Sequence, residues 1–160
     1  MKLRTPVAAL SLLMAAAFPL SSFSQTAAPN AKQSSLASGL VSDGGVSAEL
    51  TSVVKTGNRV TVKVRFMETD PEANKISVLY SRLDKSAYEN DFYLLAGDKK
   101  YLLLKDSAGK PLAPEKLVLA GKGKLRGIWY GTFPAPPAGE SLMLFLPNIE
   151  PLGPFAITGE

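Results

Sequence analysis

The 160-residue chain contains no cysteine and no histidine. Without those side chains a Ser-His-Asp triad, a Cys-His pair and the usual zinc sites cannot be assembled, and no disulfide can staple the fold. Methionine is scarce: beyond residue 24 only Met67 and Met143 remain. Both read as strand residues, since Met fills core gaps readily, and a Met/His copper site is not indicated. No Asn is followed two places later by Ser or Thr, so there is no glycosylation acceptor. No apolar run reaches the ~20 residues that a membrane-spanning helix needs.

The first 24 residues have the three parts of a secretory signal. Lys2 and Arg4 precede an apolar run from Val7 to Phe18, and Pro19 leads to a small-residue site at Ser22-Phe23-Ser24. Cleavage is expected after Ser24. No Cys follows to carry a lipid anchor, so the product is expected in a bacterial periplasm, or otherwise secreted. Residues 25–42 are rich in Ala, Ser, Gln and Asn with Lys32 as their one charge. They are expected to form a flexible leader, with a single domain over 43–160.

That domain reads as all-β. Val60, Val62, Val64 and Phe66 alternate with Thr61, Lys63, Arg65 and Met67, which is period two with β-branched residues on the buried side. With Val46 to Leu50 they make a hairpin across Thr56-Gly57-Asn58. Further strands are expected over Ile76 to Leu83, Glu115 to Ala120, Leu125 to Phe133, Ser141 to Leu146 and Phe155 to Thr158, with no helix. The segment Asp91 to Leu112 organises the rest. Phe92 to Leu95 and Tyr101 to Leu104 are too short for helices, flank a Gly97-Asp98 turn signal and are apolar on both faces. This predicts a central hairpin with both strands inside a sheet. About seven to nine short antiparallel strands fit a two-layer β-sandwich better than a small barrel. Trp129 is expected to anchor its core.

These residues bear a resemblance. The strand ending at Phe66, the Leu95 to Tyr101 hairpin followed by Lys105 to Gly109, and Trp129 to Gly139 with its Phe-Pro-Ala-Pro-Pro loop resemble the secreted bacterial immunoglobulin-like domains of unknown function found in cell-envelope proteins. The resemblance implies an immunoglobulin-like sandwich and an envelope location. Some relatives precede a peptidoglycan-binding domain, but the matched residues include none of it, and no catalytic residue is carried over.

Several motifs suggest chemistry and fail on context. Asp70, Glu72 and Asn74 start a calcium-loop spacing, but Lys75 stands where Gly is needed and Ser81 where Glu is needed. Ser107-Ala-Gly-Lys110, Lys55-Thr-Gly57 and Ser42-Asp-Gly44 echo penicillin-binding motifs in a scrambled order. Asp84, Glu89 and Asp91 have the residue type of a glycosidase pair, and read more simply as loop charges. Pro134 to Pro137 has Pro-x-x-Pro spacing, and reads as a strand stop.

Charge is the remaining signal. The formal net charge is +4, of which Lys2 and Arg4 contribute two. That is too little to imply a nucleic-acid partner. Lys99, Lys100, Lys105, Lys110, Lys116, Lys122, Lys124 and Arg126 face only Asp106 and Glu115 in the same stretch. Lys99, Lys100, Lys122, Lys124 and Arg126 are therefore the candidate contacts for an anionic surface. The plain alternative is that these lysines keep strand edges soluble and unpaired. The expectation is a non-enzymatic binding or accessory module without cofactor or metal, whose partner is an envelope protein or an anionic envelope polymer. A structural subunit of an envelope complex is the alternative, followed by a small-ligand binder or an enzyme of unrecognised type.

Overall fold

A computed structural model of the chain describes residues 34–72, 76–120 and 124–157. The residues expected to form the signal, most of the leader, Asn74, Lys75, Lys122 and Thr158 lie outside these ranges. Among the described residues the chain forms ten strands and one short helix: β1 (Ala37–Leu40), β2 (Val46–Thr56), β3 (Arg59–Glu68), β4 (Ser77–Tyr80), α1 (Lys85–Asn90), β5 (Tyr93–Ala96), β6 (Lys99–Leu102), β7 (Leu117–Leu119), β8 (Leu125–Pro134), β9 (Leu142–Phe145) and β10 (Leu152–Phe155). All pairings are antiparallel, in two four-stranded sheets, β1-β2-β3-β8 and β10-β9-β5-β6, and a two-stranded ribbon, β4-β7. An all-β fold is what the alternating strands specify.

The alternation in β3 works as period two requires. Val60, Val62, Val64 and Phe66 are buried, while Thr61 and Lys63 face outward. The neighbouring β8 follows the same rule: Trp129 and Phe133 are buried, and Ile128 and Tyr130 are half exposed. Leu94, Ala96, Leu142, Leu144, Leu152 and Phe155 of the second sheet join them in one hydrophobic cluster. Backbone bonds stitch the sheets together at both sides. Glu150 N–H donates to Leu40 O at 3.0 Å on one side, and Leu104 N–H donates to Thr132 O at 2.8 Å on the other.

Five expectations need correcting. The leader does not stay unstructured up to Asp43, because β1 lies within it and pairs with β2 from Ala37↔Leu50 to Leu40↔Ser47. Leu36 and Leu40 are about half exposed, so β1 is held by its backbone ladder and by close packing at Gly39, where a Cβ would lie 2.9 Å from Glu150 O. A helix is present after all. Asp84 caps α1 by accepting the Ala87 N–H at 3.0 Å. The last strand is β10 over Leu152–Phe155, ending where Phe155 to Thr158 was expected to begin; Pro154 is tolerated because this strand sits at a sheet edge. The central hairpin has only one interior strand: β5 lies between β9 and β6, and β6 is itself an edge. Finally, an immunoglobulin order sends the third strand to the opposite sheet. Here the two-residue Gly57-Asn58 loop returns β3 directly onto β2, so β1-β2-β3 is a meander within one sheet.

Candidate functional site

The basic stretch does not form one patch. Lys124 directly precedes β8, whereas Lys99 and Lys100 line a groove together with Pro134 at the far end of that strand. Ten residues at about 3.3 Å each separate the two ends by about 30 Å. Arg126 is not a surface contact: it is 4 % exposed, and its Nη1 donates to Glu68 Oε2 at 3.2 Å. A buried guanidinium needs such pairing, because removing an ion from water is costly. Lys122 lies outside the described residues.

What the fold does assemble is a different basic cluster. Lys99, Lys100 and Lys105 border a groove of about 420 Å³ along β6 and its continuation, completed by Tyr88, Tyr101, Leu102 to Leu104 and Pro134. Each lysine sits over a tyrosine ring. Lys105 Nζ is 3.9 Å from the Tyr88 ring centre, Lys100 Nζ 4.1 Å from that of Tyr93, and Lys99 Nζ 5.0 Å from that of Tyr101. Such contacts orient an ammonium through the ring quadrupole but add no opposite charge. None of the three lysines forms a carboxylate ion pair among the described residues, and no acidic side chain lines the groove.

The supporting elements explain why these tyrosines are in place. Tyr88 projects from α1, and its hydroxyl donates to Leu103 O at 2.8 Å, so the helix that Asp84 caps holds the platform for Lys105. Burial, and secondarily the charge of Glu89, pushes the Tyr88 hydroxyl pKa up. Tyr93 stacks on Phe145 of the next strand, centroids 4.5 Å apart and planes 11° from parallel. This fixes the ring beneath Lys100. The loop before Lys99 is a two-residue turn with Gly97 at φ 54°, a backbone position that favours glycine.

A second cleft, of about 450 Å³, is chemically different. Arg82, Asp106, Lys110 and Glu115 lie around it, but Lys110 Nζ meets Glu115 Oε1 at 3.1 Å, and Asp106 Oδ1 accepts the Ala108 and Lys110 N–H groups at 2.9 Å. Its charges answer one another locally. Ser107 and Lys110, the scrambled penicillin-binding echo, belong to the loop beside this cleft. Of the three carboxylates considered for glycosidase chemistry, Asp84 and Asp91 cap α1 and Glu89 lies within it. Asp70 accepts the Glu72 N–H in a local turn. Among the described residues no group of three metal-ligating side chains converges.

Trp129 is fully buried. Its Nε1 donates to Tyr80 Oη at 3.1 Å, and that hydroxyl donates to Pro114 O at 2.7 Å. Phe92 stands edge-on to Tyr80 and stacks near Trp129. Burial pushes the Tyr80 hydroxyl up to about 12, against a smaller lowering by the Trp129 hydrogen bond.

Sequence reasoning found Lys99 and Lys100 but left Lys105 out of its contact set and missed the role of Tyr88. Asp84 three residues ahead of Ala87 was the one available signal, since Asp is a preferred helix cap. Comparison with family models, curated proteins and solved structures gives no match for this chain.

Proposed function

We propose that the chain is an exported, non-enzymatic binding module of a bacterial cell envelope that takes an anionic partner along β6. The observation that carries this reading is the groove bordered by Lys99, Lys100 and Lys105, each seated on a tyrosine, with no carboxylate in its lining. Positive charges held at fixed positions without a close ion pair among the described residues attract a polyanion, with Asp98 and Glu140 sharing a neighbouring cleft with Lys99 and Asp84 sharing one with Lys105. Export is supported by the Lys2/Arg4, apolar and small-residue pattern of the first 24 residues. A binding role is supported by the lack of His and Cys, which removes the commonest nucleophile and base pairings. The two four-stranded sheets around one core are read as the layers of a sandwich, with a strand order distinct from the immunoglobulin one.

The test uses long-chain polyphosphate as a probe. The full chain is expected to bind it at low salt and to release it as salt approaches physiological strength, where exposed charges are screened beyond about 8 Å. The triple variant Lys99→Gln, Lys100→Gln, Lys105→Gln should lose at least about tenfold in affinity, while Lys124→Gln changes little. Equal binding by wild type and the triple variant would overturn the reading. The structural-subunit alternative draws on Val78 and Val118, which are cross-strand neighbours and 50 % and 38 % exposed. It expects stable association with another envelope protein that the lysine variants do not disturb.

A further inference from the structure

A two-residue hairpin loop dictates which backbone groups of its strands face each other. Ala96 and Lys99 flank Gly97-Asp98 and are register partners, so they exchange both backbone hydrogen bonds, and the pattern recurs at Leu94 and Tyr101. The alternate residues, Lys100 and Leu102, therefore turn their N–H and C=O groups away from β5. Among the described residues no other strand pairs with β6 on that side, and no bond outside the strand ladders reaches Lys100 or Leu102, while the end of β8 runs close by. The edge closes only at Leu104, through its bond to Thr132 O. Pro134, two residues further along β8, lines the same groove. Lacking an N–H, it offers no donor to extend the seam. The basic groove is thus a gap where two strand edges part.

Unpaired edge groups are a template for another strand, and the lysines decide which strand. A second copy of this chain pairing through β6 would crowd the Lys99, Lys100 and Lys105 ammonium groups of both copies along one short seam, which like charges disfavour. An acidic segment meets no such barrier. Lys99 and Lys100 are consecutive and so point to opposite faces of the sheet, which puts an ammonium near an added strand's carboxylates on either face.

We propose that the open edge of β6 is a strand-addition site for an extended acidic segment of a partner protein, whose backbone pairs with Lys100 and Leu102 while its carboxylates meet Lys99, Lys100 and Lys105. This deepens the anionic-partner reading and rests on it. The probe is a capped hexapeptide of alternating Glu and Val, titrated into the full chain at low salt while amide hydrogen exchange is followed residue by residue. The Lys100 and Leu102 amides, fast in the free protein, are expected to slow on binding, while those of Lys99 and Tyr101, already bonded to β5, hardly change. Two analogues, N-methylated on the Glu or on the Val positions, keep the charge. The one that loses its inward N–H groups should bind at least roughly tenfold more weakly, because two backbone hydrogen bonds are gone. The proposal is overturned if both analogues bind as well as the parent, if protection appears elsewhere, if the peptide does not bind, or if the chain dimerises through β6 instead. Polyphosphate, which has no backbone to pair, separates the two readings. Lysine-dependent polyphosphate binding without peptide-induced protection keeps the anionic module and removes strand addition, whereas loss of lysine-dependent binding to both probes removes both.

Discussion

The molecule uses aromatic residues in two places to opposite ends. In the core, Tyr80, Phe92 and Trp129 turn their rings on one another, and the polar atoms are consumed in a chain from Trp129 Nε1 through the Tyr80 hydroxyl to Pro114 O. At the β6 edge, Tyr88, Tyr93 and Tyr101 turn ring faces to lysines that form no close ion pair among the described residues. The residue type is nearly the same, so the difference lies in what closes over the ring. A ring covered by another ring stabilises the fold, whereas a ring under an ammonium holds that ammonium in place for something outside.

The contrast breaks if core changes cost binding directly or edge changes cost the fold. The largest effect is expected from Trp129→Ala, which should lower unfolding free energy by about 3–5 kcal/mol in denaturant titrations through lost burial and the cavity left behind. Polyphosphate binding should persist under conditions where the variant remains folded. A folded variant that no longer binds would place Trp129 within the recognition surface.

Tyr80→Phe sharpens the core side. It leaves the Trp129 N–H and Pro114 O without their partner and should cost about 1–3 kcal/mol near neutral pH. It also has an alkaline signature. The folded protein holds the Tyr80 proton up to about 12, against an ordinary value of 10. The stabilisation is therefore fully present below pH 10 and is lost as pH rises through 12, amounting to at most about 3 kcal/mol before solvent screening reduces it. Wild type should show this decline in pH-dependent unfolding, and the variant should show a shallower one. Parallel curves would mean that Tyr80 titrates as it does in the unfolded chain.

The smallest stability effects belong to the edge. Lys99→Gln, Lys100→Gln and Lys105→Gln should each change stability by less than about 1 kcal/mol, the scale of an exposed cation–ring contact. A loss of several kcal/mol from any one of them, measured by thermal unfolding, would make that lysine part of the scaffold.

Local pattern carried the all-β architecture because period two is visible within a single strand: Val60 to Phe66 announces its buried face without reference to any neighbour. The hairpin turns were legible for the same reason, since Gly57-Asn58 and Gly97-Asp98 are short-range signals. Trp129 could be assigned to the core from its place in an alternating strand, where it is fully buried. Tertiary structure decided the rest. β1 is held by backbone pairing and close approach at Gly39, neither of which marks composition. Arg126 and Leu125 are adjacent in β8, yet one is buried against Glu68 and the other is half exposed, because adjacent strand positions face opposite sides, while Lys124 lies exposed just before the strand begins. The candidate site was the least legible part. Tyr88 on α1, Tyr93 on β5 and the three lysines along β6 and its continuation meet only after the chain has folded, and β6 is open because a sheet edge and a proline fall side by side in space.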